Sequence, residues 1–138
     1  MKSGIIDTNV IVRFLVETPE TIGNKFKGVF SFFEKIAKKQ LCVELPELVI
    51  FETYFVLTSH YGIPSKITSE KLIEILSLSG VEMGNKSLII SCFETLKERN
   101  VDLVDAYIAA MCKQRGHAGV YSFDSDMKKL GLSSLEIK

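Results

Sequence analysis

The 138-residue chain has no tryptophan, only three prolines and two histidines, and three cysteines. Cys42, Cys92 and Cys112 are odd in number and lack CxxC spacing, which argues against a disulfide scaffold or a zinc ribbon and for a reducing, cytoplasmic compartment. Neither His60 nor His117 lies in a nucleophile motif such as GxSxG, so serine or cysteine hydrolysis has no support and both read as structural. The glycines spell neither GxGxxG nor a P-loop, which removes the nucleotide-cofactor classes. Net charge is also missing. Seventeen basic residues balance seventeen acidic ones, so any contact with a polyanion must come from a local patch. No apolar run approaches the ~20 residues of a membrane span. Asp7 interrupts the first apolar stretch, which argues against a secretory leader.

What is present is a core. With 46% hydrophobic and 25% charged residues the chain reads as one globular domain over residues 1–138. Ser3 to Asp7 reads as a short buried strand, followed by a helix from Thr8 through Leu15. Between Thr21 and Gln40, Phe26, Val29, Phe30, Phe33, Ile36 and Ala37 recur at helical period. Lys25, Lys27, Lys35, Lys38 and Lys39 fall on the other, solvated face. Leu41 to Leu45 reads as the second strand, and Pro46 opens a nearly all-apolar helix to about His60 that should be buried on most sides. A helix after Pro64 turns Leu72, Ile73, Ile75 and Leu76 inward and stops at Gly80. Val81 to Met83 is a third strand, Asn85 caps a helix bearing Leu88, Ile89, Cys92, Phe93 and Leu96, and Asp102 caps the next, which ends at Gly116. Val120 to Asp124 reads as a fourth strand and Ser133 to Lys138 as a last edge strand. The alternation predicts an α/β fold: a three-layer α/β/α sandwich of the doubly wound kind around a mostly parallel sheet.

The informative residues are acids in apolar company. Asp7 and Asp124 end predicted strands, where open parallel sheets bind ligands. Glu52 has Leu48, Val49, Phe55 and Val56 as its helical neighbours, and Asp105 shares a face with Val101, Ile108 and Ala109. A buried carboxylate needs a partner, and no Lys or Arg stands at helical spacing beside Glu52 or Asp105. Four acids converging at one sheet edge require a cation. Hard oxygen donors without paired Cys or His select Mg²⁺ or Mn²⁺, which suits hydrolysis of a phosphodiester. Each acid also has a plainer reading: Asp7 opens the first helix, Asp102 and Asp105 form a cap and a first-turn acid, and Asp124 and Asp126 cap a short helix at Met127 to Leu130.

In order along the chain, Ile5-Ile6-Asp7-Thr8-Asn9, Glu52 after Pro46 to Phe51, Val104-Asp105-Ala106-Tyr107-Ile108-Ala109-Ala110 and Tyr121-Ser122-Phe123-Asp124-Ser125-Asp126 resemble the four motifs of PIN-domain nucleases. The length further resembles VapC-type toxins of toxin–antitoxin pairs. The resemblance implies a Mg²⁺- or Mn²⁺-dependent enzyme that cleaves single-stranded RNA, with Asp7, Glu52, Asp105 and Asp124 around the metal. Asp102 and Asp126 are implied as second-rank acids, and Thr8, Asn9 and Ser122 as polar residues that hold the site. A homodimer and inhibition by a small cognate antitoxin are implied as well. Met127 departs from the pattern, standing where an aromatic often closes the fourth motif. A catalytically silent PIN-like interaction module and a phosphate-accepting receiver-type domain are the competing readings, the second lacking adjacent acids before Asp7.

Overall fold

The structure, a computed structural model, describes residues 4–138, so Ser3 of the first predicted strand lies outside the described residues. Three short strands, β1 (Gly4–Ile5), β2 (Val43–Glu44) and β3 (Val81–Glu82), pair in parallel in the order β1-β2-β3. The register sets Gly4 beside Val43 and Val43 beside Val81. Helices α1 (Thr8–Val16) and α2 (Gly28–Ala37) connect β1 to β2, and α3 (Glu47–Phe55) and α4 (Ser65–Leu76) connect β2 to β3. Helices α5 (Lys86–Glu98) and α6 (Leu103–Arg115) follow. The α/β class with a parallel sheet is as the alternation predicts. The reversal of strand order that marks a doubly wound sheet does not occur among the described strands.

The core joins the sheet to the helices. Ile11, Phe33, Ile36, Leu45, Ile50, Leu57, Leu72, Leu76, Leu88, Ile89 and Phe93 are all essentially inaccessible to solvent. Each such side chain contributes about 1.5–3 kcal/mol relative to an exposed one. Phe14 stacks on Phe33 at 4.2 Å, fastening α1 to α2.

Several expectations fail, each for a local reason. In β1 the strand residues Gly4 and Ile5 are exposed, and burial begins only at Ile6. The segment before α2 is not α-helical from Thr21. Thr18 and Thr21 bond to one another through their side chains, and a 3₁₀ turn at Asn24–Phe26 precedes Gly28. The helix after Pro46 changes to a π-helical turn at Val56–His60, where Thr58 Oγ1 donates to the carbonyl of Tyr54. It is also not buried on most sides. Ile50, Thr53, Tyr54 and Leu57 face inward, while Leu48 is 82% exposed.

Gly80 does not stop α4, which ends at Leu76 with Ser77 as its C-cap. Its role is close approach: a Cβ there would lie 2.1 Å from the Leu41 carbonyl oxygen and 2.8 Å from that of Ile36. Gly116, by contrast, ends α6 in the left-handed conformation (φ 69°), as its position suggests. Val120 to Asp124 is not a strand, and neither is Ser133 to Lys138. The two segments meet in one parallel bridge, Val120 with Ser134, and then part. Two alternating sequences without a neighbour to extend the ladder cannot make a sheet.

Candidate active site

Ile6 is buried, and its N–H donates to the carbonyl of Glu44, which ties the end of β1 to β2. The chain turns immediately into α1, with Asp7 at the N-cap. One carboxylate oxygen of Asp7 accepts the Thr8 N–H at 2.7 Å. The cap reading of Asp7 is therefore correct as a local fact. Thr8 is buried, and its hydroxyl donates to Oε1 of Glu52, on the exposed side of α3. Asp7 and Glu52 thus stand on either side of one threonine. Asn9 is exposed in the same first turn of α1.

The other acids come together through α6 and the segment that follows it. Asp102 occupies the N-cap of α6 without a side-chain bond to its backbone, and Asp105 sits in the first turn. Ser122 Oγ accepts the Asp124 N–H at 2.9 Å, and the Asp124 carboxylate accepts the Asp126 N–H at 2.9 Å, opening a 3₁₀ helix at Ser125–Leu130. Partial burial holds the Asp105 carboxyl above the ordinary carboxylate range, and the like charges of Asp102, Asp124 and Asp126 push it further in the same direction. Lys129 pairs with Asp126 at 3.3 Å. Among the described residues no Lys or Arg forms an ion pair with Asp7, Glu52, Asp102, Asp105 or Asp124.

The interactions of the acids fall into two sets. Asp7 and Glu52 are linked through Thr8, whereas the charges acting on Asp105 are those of Asp102, Asp124 and Asp126. Among the described residues, no three His, Cys, Asp or Glu side chains stand close enough to hold a metal ion together. Asp7 and Asp124 each direct one oxygen to a cap. The donor chemistry nevertheless fits a hard divalent cation. Every candidate ligand is a carboxylate, and the raised Asp105 carboxyl marks negative charge that a cation would relieve.

Two features were missed from sequence. Phe123 is 94% exposed directly before Asp124, and Val104 is exposed directly before Asp105. Phe123 lies in the segment read as a strand, and among the described residues nothing packs over it there. Glu47, in the first turn of α3, accepts from Asn85 Nδ2 at 3.2 Å. It also shares a hydrogen bond with Tyr107, whose phenol is pushed up chiefly by burial and next by the Glu47 charge. Asn85, predicted as a helix cap, spends its side chain on this contact and makes no bond to the α5 backbone.

Residues 5–132 match the PIN domain family. The chain belongs to that family. Along the sequence this PIN domain is 28% identical over 131 residues to a VapC ribonuclease of Aquifex aeolicus (strain VF5), covering 95% of this chain and 94% of that protein. Among solved structures it resembles the Mycobacterium tuberculosis VapC20, a sarcin-ricin loop cleaving toxin, at 20% identity over 98% of this chain and 100% of that one, with a TM-score of 0.35. PIN-domain ribonucleases of the VapC type in general depend on a divalent metal ion.

Proposed function

We propose that this PIN domain is an endoribonuclease that hydrolyses phosphodiester bonds of single-stranded RNA with Mg²⁺ or Mn²⁺, as the toxin of a toxin–antitoxin pair. The observation that carries the reading is Asp105 held in the field of Asp102, Asp124 and Asp126, in a chain that also joins Asp7 to Glu52 through Thr8. When bound, a divalent cation supplies the positive charge that offsets negative charge building on the phosphate during attack by water. Asp7, Glu52, Asp105 and Asp124 would hold it, with Asp102 and Asp126 adding to the field.

The remaining steps belong to the chain's own groups. Thr8 fixes Glu52 by its hydroxyl, so that side chain is oriented before substrate arrives. A carboxylate oxygen of Asp105 accepts the proton from the attacking water, and that proton passes to the leaving 3′-oxygen. Ser122 keeps the Asp124 backbone in place. The products are a 5′-phosphate and a 3′-hydroxyl. No helix among the described residues is long and apolar enough to cross a membrane. A cytoplasmic location, a homodimer and a small inhibitory antitoxin complete the proposal.

A catalytically silent PIN-like module is the second reading. RNA cleavage by wild type and Asp105→Asn in Mg²⁺, in Mn²⁺ and in EDTA separates the two. Cleavage should require the metal and fall at least a hundredfold in the variant. No cleavage in any metal supports the silent module.

A further inference from the structure

A polar concavity that none of the candidate site acids lines runs along α6. Its volume is about 480 Å³, and it is walled by α5, α6, the loop after α6 and the chain following Leu130. Arg99, Lys113 and His117 line it, and among the described residues Glu98 is the only acid to do so. Arg99 is anchored there, its guanidinium donating to the carbonyl of Lys129. The opposite wall is tight backbone: a Cβ on Gly119 would lie 2.3 Å from the Ser133 carbonyl oxygen. The balanced overall charge makes this local grouping of three N–H-rich side chains informative.

The cavity is also in line with the acids. Asp105, Ala109 and Lys113 follow at i, i+4 and i+8, one stripe on the same face of α6, and Ala109 and Lys113 both line the cavity. Eight residues at the helical rise set Lys113 about 12 Å from Asp105 along the axis. That distance is too long for the scissile phosphate and suits a phosphate farther along the same strand.

We infer that this cavity is a backbone subsite of the nuclease, in which Arg99, Lys113 and His117 hold a phosphate of single-stranded RNA distant from the bond that is cut. The inference rests on the ribonuclease reading and adds where the substrate is gripped. It also makes α6 and its flanks the gripping surface. Arg99 forks onto phosphate oxygens, Lys113 supplies a point charge, and His117 an imidazole N–H.

The test compares wild type with Arg99→Gln/Lys113→Gln and with Lys113→Gln alone, whose exposed side chain can be replaced without disturbing the core. Binding of a fluorescein-labelled single-stranded oligoribonucleotide is followed by anisotropy in EDTA over a salt series. The double variant should bind about tenfold more weakly at low salt, and its slope of log K against log salt should fall by about 1.4, the loss of two phosphate contacts on a single strand. Lys113→Gln should lose about half of that slope. In cleavage assays KM should rise while kcat stays within about twofold, and a dinucleotide too short to reach the cavity should be cut equally by all three proteins.

Unchanged affinity and slope in both variants overturn the subsite. So does a higher melting temperature of wild type in pyrophosphate with RNA binding untouched by the substitutions, which would assign the cavity to a small free anion. If wild type cleaves no RNA in any metal, the ribonuclease reading fails. The binding series still decides the cavity.

Discussion

The Thr8 hydroxyl donates to Glu52 Oε1 across 44 residues of sequence, joining the first turn of α1 to the middle of α3. Two elements that bear acids are thereby held by one neutral side chain. Thr8→Val keeps the shape and removes the donor. It should cost about 1 kcal/mol of stability, less than a fully buried charged bond because Glu52 is exposed, and lower kcat at least tenfold. Thermal unfolding and single-turnover cleavage measure the two effects separately. A fall in kcat with no change in melting would show that the bond orients Glu52 without contributing to the fold.

The raised Asp105 carboxyl makes a signed prediction. A folded value above the unfolded one means that the native state binds more protons between the two, so stability falls as pH rises through that window. The penalty is fully present above the folded value. Asp105→Asn should therefore melt higher than wild type at pH 7 in EDTA, and the difference should vanish below the unfolded carboxylate value of about 4. Mn²⁺ should raise wild type more than the variant, because it binds only the native state. A variant that melts lower at pH 7 in EDTA would contradict the like-charge account.

Gly80 supports the sheet by close approach. Gly80→Ala drives a methyl against two backbone carbonyls and should cost about 3 kcal/mol or more, read as a lower denaturation midpoint. Gly28→Ala is the control, since nothing lies within 4 Å of its added Cβ, and it should leave the midpoint nearly unchanged or raise it.

Phe123 separates the strand read from sequence from the loop that is present. At 94% exposure, Phe123→Ser should change stability by no more than about 0.5 kcal/mol, as surface substitutions usually do. A buried strand residue at that position would lose about 3 kcal/mol or more on comparable truncation. Urea denaturation distinguishes these values.

Local rules account for what was legible. Helix α1 begins after Asp7, α6 ends at Gly116, and Leu72, Leu76, Leu88, Ile89 and Phe93 face inward, because capping and helical period involve residues within one or two turns. The identities of the acids were equally readable, since a carboxylate among apolar neighbours is conspicuous in one dimension. What each acid faces was not. Asp105 meets Asp124 and Asp126 only because the chain after α6 folds back beside its first turn, and Thr8 meets Glu52 only because α1 packs on α3.

The same distinction governs the failed strands and the exposed face of α3. Val120 to Asp124 alternates like a strand, but alternation supplies half of a ladder, and the other half must come from a neighbouring chain segment. Here that segment provides Ser134 and then diverges. Leu48 and Phe55 are apolar by composition and exposed by position, since burial depends on what packs opposite a helix. The sequence by itself thus determined most of the helices and the cap at Asp7 and stop at Gly116, through interactions between near neighbours. The tertiary structure decided which acids share a field and which apolar residues meet water, because both depend on distances between residues far apart in the chain.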